Sequence, residues 1–271
     1  MEWRNIYRGI LMGASDVVPG VSGGTIAVVL GIYDRLIEAI NGFLSKEWKK
    51  HLAFLAPLLI GVGASIYLLS GVVTWLFEHH PRPTQFAFLG LIIGVLPFLF
   101  NKSDAKNTFK TQHVVLLVIG AIIVGSMAFF HTVESEPMQN LTISNYLFIL
   151  LAGFIASSAM ILPGISGSFL LYLMGVYTTV FGAVHDLQLD IVAVFGVGFV
   201  IGIVIMSKII HYFMANFPTS TYALVIGLVI GSVAVIFPGW PTTTPSTIYS
   251  IIAFAGGLLV AYLLGRIEYK E

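Results

Sequence analysis

The chain has no cysteine among its 271 residues. Disulfides, thiolate metal sites and cysteine nucleophiles are therefore excluded, and the sequence carries no mark of redox compartment. Charge is also scarce: Asp, Glu, Lys and Arg make up 10% of the chain, against about 25% in a soluble globular domain. The 13 acidic and 13 basic residues cancel, so no basic surface invites nucleic acid. No stretch is long and polar enough to form a soluble domain. What fills the chain is 57% hydrophobic residues, with a mean hydropathy of +0.94. Apolar runs at Leu52–Phe77, Phe86–Phe100, Val114–Phe130, Ile191–Phe213, Tyr222–Phe237 and Ile248–Leu264 each cross, or nearly cross, a hydrocarbon core of about 30 Å. The fold class is an all-α polytopic membrane protein. The opening residues contain Arg4 and Arg8 but no signal-peptide core with a cleavage site, and are read as retained.

Basic residues are unevenly spread. Arg4 and Arg8, Lys46, Lys49 and Lys50, Lys102, Lys106 and Lys110, then Arg266 and Lys270 fall in alternate connections. The connections around 131–145, 185–190 and 238–247 contain no Lys or Arg, only Glu134, Glu136, Asp186 and Asp190, and Arg82 is the lone basic residue on their side. The positive-inside rule puts the basic connections and both termini in the cytoplasm. Residues 3–41 then begin and end on the same side, yet are too short for two full crossings. A re-entrant hairpin entering from the cytoplasm is expected there, as two half-helices around a break at Pro19–Gly24. By the same logic 145–185 is a hairpin entering from outside.

The two breaks are copies of one another. Pro19-Gly20-Val21-Ser22-Gly23-Gly24 aligns with Pro163-Gly164-Ile165-Ser166-Gly167-Ser168, and six of the fifteen positions from Pro19 to Tyr33 are identical 144 residues later. Gly9 aligns with Gly153 at the same offset. Further on, Pro81, Thr84, Gly90 and Gly94 align with Pro218, Thr221, Gly227 and Gly231 at an offset of 137. The chain thus reads as two repeats, 1–144 and 145–271, each one hairpin plus three transmembrane helices. An odd number of spans inverts the second repeat, an architecture of many secondary transporters.

Irregular backbone at membrane depth is tolerated where it is buried in protein or lines a wet cavity. In both motifs proline ends a helix, glycines allow close approach to the backbone, and a serine (Ser22 or Ser166) is placed to cap the next helix. The freed amides and the positive helix end suit an anion without a formal charge. Ser22, Gly23, Gly24, Thr25, Ser166, Gly167 and Ser168 are therefore candidate binding residues for a phosphate-sized group held between two helix N-termini. The alternative is that both motifs only break and pack the chain. Asp16 has no acidic counterpart, since Met160 stands in its place. It either carries a coupling proton or sodium ion, or hydrogen-bonds the opened backbone. No cofactor or metal is otherwise implied.

Tyr33 and Tyr177 are candidate headgroup contacts with packing as the alternative. For Arg35 a local ion pair with Asp34 or Glu38, or snorkelling, stands against contact with a lipid headgroup. Lys208 and His211 suit an interfacial or cavity-lining position, and His79, His80 and Arg82 suit anion attraction on the outer side. Gly90-xxx-Gly94 and Gly227-xxx-Gly231 read as helix packing seams. Asn140-Leu141-Thr142 matches a glycosylation triplet.

At these motifs the chain resembles a known family. "GASDVVPGVSGGTIAVVLGIYDRLIEAI" and "LPGISGSFLLYLMGVY" look like the bacterial polyprenyl-phosphate transporters, with a likeness over nearly the whole length. The resemblance implies return of undecaprenyl phosphate, a cell-wall carrier lipid, from the outer to the inner leaflet of the plasma membrane, among the other membrane lipids. Three rivals remain. Polyprenyl-diphosphate phosphatases also carry a "PG-x-S" motif, but with an arginine after the serine where Gly23 and Gly167 stand here. Aquaporin-type channels would show Asn-Pro-Ala at both breaks. A secondary carrier of a small anion would use the same helix ends.

Overall fold

The computed structural model describes residues 2–16, 22–43, 45–130, 137–138 and 141–268. Pro19 and Gly20 of the first break, and Asn140 of the glycosylation triplet, lie outside the described residues. The described chain is helical without strands. It runs α1 (Arg4–Asp16), α2 (Gly23–Val29), α3 (Tyr33–Gly42), α4 (Trp48–His79), α5 (Pro81–Lys102), α6 (Ala105–Thr108), α7 (Thr111–Ser126), α8 (Ile143–Ile161), α9 (Gly167–Leu173), α10 (Tyr177–His185), α11 (Leu189–Asn216), α12 (Pro218–Ile236) and α13 (Thr244–Glu268). Among the described residues, six helices are long and apolar enough to cross a membrane: α5, α7 with its 3-10 extension, α8, α11, α12 and α13. The protein is a multi-pass membrane protein.

Each segment expected to hold two half-helices holds three helices. The extra stop is a second break, at Gly31 and Gly175, whose φ angles are 66° and 69°. Both glycines close the same hydrogen-bonded turn. Gly31 N–H donates to Val28 O and Ile32 N–H to Ala27 O, as Gly175 donates to Tyr172 O and Val176 to Leu171 O. This is the Schellman ending, whose left-handed residue is best supplied by glycine. It limits α2 and α9 to seven residues each, and α9 and α10 meet at a bend of 119°. The limb before the second motif is also longer than a half-helix, since α8 has 19 residues.

Four long helix pairs build the body: α1 with α4, α8 with α11, α5 with α13, and α7 with α12. Each pair crosses at two facing glycines. A Cβ on Gly9 or Gly61 would overlap the backbone of the facing helix, and the same holds for Gly153 and Gly198, for Gly90 and Gly257, and for Gly120 and Gly227. Lipid tails provide no hydrophobic drive between helices, so close backbone approach at small residues supplies the packing. Gly94 and Gly231 extend two of these seams: a Cβ would lie 2.7 Å from the Ala261 methyl and 2.6 Å from Ala121 O, respectively.

The two short helices differ in setting. α2 is buried along its whole length, against α1, α5, α8 and α13. In α9 only Leu171 is buried. Helix α2 therefore sits inside the core, while α9 stands beside open space.

Candidate functional site

The two break motifs touch. The Gly164 amide donates to Thr25 Oγ1 at 2.7 Å, and Thr25 Oγ1 lies 3.0 Å from Ser22 Oγ. Gly24 is pressed against the end of α8: a Cβ there would stand 2.9 Å from Met160 O and 3.0 Å from Ile161 O. Glycine at 24 is thus required by backbone proximity.

Both serines cap as their sequence positions suggest. Ser22 Oγ accepts from Thr25 N at 3.2 Å, and Ser166 Oγ accepts from Phe169 N at 3.4 Å while lying 2.9 Å from Ser168 Oγ. The first motif has a second cap. Asp16 Oδ1 accepts from the Gly23 amide at 2.6 Å, so two of the first amides of α2 are taken by the chain's own oxygens. A carboxylate at a helix N-terminus is favoured by the helix dipole. The backbone role weighed for Asp16 is thus realised in this structure.

Asp16 also lines a cavity of about 480 Å³ together with Ser166, Gly167, Ser168, Tyr172 and Tyr177. The remaining wall is apolar and comes from α8, α9, α10 and α11. The cavity therefore brings Asp16 from the first repeat together with Ser166, Gly167, Ser168 and Tyr177 from the second. Ser22, Gly23, Gly24 and Thr25 lie behind it, buried.

Tyr33 and Arg35 are elsewhere. Tyr33 is 3% exposed, its hydroxyl has no hydrogen-bond partner, and it borders a separate apolar cavity of about 400 Å³ among α3, α7, α11 and α12. Arg35 pairs with Glu2, not with its neighbours, and its guanidinium lies 5.0 Å over the Phe54 ring. Asp34 instead reaches Lys102 Nζ at 2.8 Å and accepts from the Tyr222 hydroxyl. Glu38 meets Lys50 at 3.8 Å. The local ion pair expected at Arg35 gives way to contacts among α3, α4, α5 and α12. His79 stacks on Trp75, and Arg82 donates to Thr242 at 3.3 Å. Lys208 is exposed on α11.

Sequence reasoning missed Tyr172, whose ring stacks on Tyr177 at 3.8 Å. Five residues separate the two, a spacing that does not share a face in an unbroken helix. Only the turn at Gly175 brings the rings together.

A family model described as undecaprenyl phosphate translocase-like matches residues 12–253. The chain belongs to this family. Its relatives in the family include a polyprenyl-phosphate transporter of Staphylococcus aureus, 41% identical over 278 residues, covering 100% of this chain and 98% of that one. A polyprenyl-phosphate transporter of Vibrio cholerae is 39% identical over 257 residues, covering 90% of this chain and 80% of that one. No solved structure matches the chain. The family match runs from just before Asp16 through both break motifs to α13, so the cavity lies within it.

Proposed function

We propose that the protein is a polyprenyl-phosphate transporter that moves undecaprenyl phosphate from the outer to the inner leaflet of the bacterial plasma membrane. The observation that carries this reading is the cavity lined together by Asp16 from the first motif's approach and by Ser166 and Ser168 of the second motif. Its hydroxyls can donate to a phosphate, its apolar wall suits the first part of a prenyl chain, and the rest of the chain stays in the bilayer. Both relatives are named for the same substrate class. The phosphate binds at Ser166–Ser168 in the cavity, with Ser22–Thr25 packed behind it, and no bond of the substrate is broken.

The architecture for this movement is an inverted repeat of residues 1–144 and 145–271, with hairpins entering from opposite sides and both termini cytoplasmic. The shared serine caps, Schellman turns and glycine crossings support the repeat. Asp16 breaks its symmetry. Two negative charges about 5 Å apart repel by about 3 kcal/mol at an effective dielectric near 20. A phosphate therefore enters more readily when a proton or sodium ion neutralises Asp16, which couples headgroup movement to that ion.

The test is reconstitution in liposomes with labelled undecaprenyl phosphate in one leaflet and inorganic phosphate release followed in parallel. Headgroup crossing without release is expected. Release from a polyprenyl diphosphate would replace the proposal with an enzyme, and flux of a small anion without lipid crossing would replace it with a carrier.

A further inference from the structure

Aromatic rings on a membrane-facing helix are ordinary, but five of them here line the same cavity as Asp16, Ser166 and Ser168. Tyr172 and Tyr177 stack at 3.8 Å with planes 13° apart, and Phe181 continues the row at 4.3 Å from Tyr177. On α11 Phe195 and Phe199 stand one turn apart with ring centres 5.9 Å apart. Tyr177 and Phe181 are likewise one turn apart on α10, and α10 packs on α11. Two rows of rings therefore line one cavity. Phe181 is half-exposed, so the row also meets the surroundings of the helix bundle.

We infer that these rows read the first isoprene units next to the phosphate, and that the protein selects its lipid by that short unsaturated stretch and not by chain length. The inference rests on the transporter reading above and deepens it. A trisubstituted double bond is planar, so each isoprene unit offers a flat face to a ring face, which a saturated chain lacks. The double bonds also hold torsions that a saturated chain must freeze on binding, so less ordering is lost. Volume limits how far the reading extends: the cavity of about 480 Å³ is too small for a whole undecaprenyl chain, so it takes the phosphate and the first few isoprene units.

The experiment is displacement of labelled undecaprenyl phosphate from the full-length protein in nanodiscs, with each competitor expressed as its mole fraction in the bilayer. The competitors are geranyl phosphate with two isoprene units, geranylgeranyl phosphate with four, and decyl phosphate, which is saturated and about as long as geranyl phosphate. Geranyl and geranylgeranyl phosphate should displace within about threefold of one another, and decyl phosphate about tenfold more weakly. Tyr172→Leu and, on the half-exposed end of the row, Phe181→Leu should each bring the geranyl-to-decyl ratio close to one, with binding of the label weakened along with that of geranyl phosphate. Equal displacement by decyl and geranyl phosphate in the wild type overturns the inference. So does a geranylgeranyl phosphate more than about tenfold tighter than geranyl phosphate, or an unchanged ratio in both variants. Absence of label binding by the wild type overturns the transporter reading along with it, whereas binding without discrimination overturns the inference alone.

Discussion

At the scale of single residues, Thr25 joins the two break motifs. Its hydroxyl takes the Gly164 amide in a buried setting, where an unpaired amide costs about 1–3 kcal/mol. Thr25→Val, which keeps the shape and removes the acceptor, should lower the melting temperature in detergent, with Thr25→Ser close to wild type. Equal melting of all three would show that the bond adds nothing. Asp16 is the other residue with two tasks, since it caps Gly23 and borders the cavity. Asp16→Asn keeps a carbonyl acceptor for the Gly23 amide but removes the charge. Headgroup crossing by this variant should lose its dependence on proton or sodium gradients while the fold persists. Crossing that still follows the gradient would discard the coupling role.

At the scale of helices, glycines decide how closely the long pairs approach. Gly196 and Gly198 lie two residues apart on α11, and their surroundings are opposite. A Cβ on Gly198 would run into the carbonyl oxygen of Leu150 on α8, whereas one on Gly196 meets nothing within 4 Å. Gly198→Ala should separate α8 from α11 at a cost of about 1–3 kcal/mol. Gly196→Ala should be neutral or gain up to about 1 kcal/mol from helix propensity. Chemical or thermal unfolding of the two variants in the same detergent tests the contrast, and equal stability would refute the seam. The short helices obey different rules. α2 and α9 end at glycines with positive φ, so their length is set by backbone conformation and not by side-chain packing. α3 is held at its start by Asp34, through Lys102 on α5 and Tyr222 on α12. The pair is partly exposed, with 30% and 40% of its side-chain surface open, and it positions α3 more than it stabilises the fold.

At the scale of the whole molecule, the proposed inverted repeat predicts which loops face which side. With no native cysteine to interfere, single cysteines at Ser45 and Asn107 should react with an impermeant reagent from the cytoplasmic face, and those at Leu187 and Thr243 from the outside. Any of the four labelling from the opposite face would break the topology. Much of this molecule is legible along the chain. Low charge and long apolar runs follow from composition alone, and membrane insertion depends on just those properties. The serine caps and the seam glycines could be read because helix capping and small-residue crossings act over one turn and repeat at a constant offset. The ring stack of Tyr172 on Tyr177 could not be read, because it depends on a turn placed between them. Nor could the bond from Gly164 to Thr25, which spans 139 residues, or the partners of Asp34 and Arg35 on other helices. The sequence by itself determined a helical membrane protein with two matching breaks. Tertiary structure alone decided that α2 is buried and that α9 borders the cavity, because which side chain meets which depends on how the paired helices cross, and one chain position does not encode its distant neighbour.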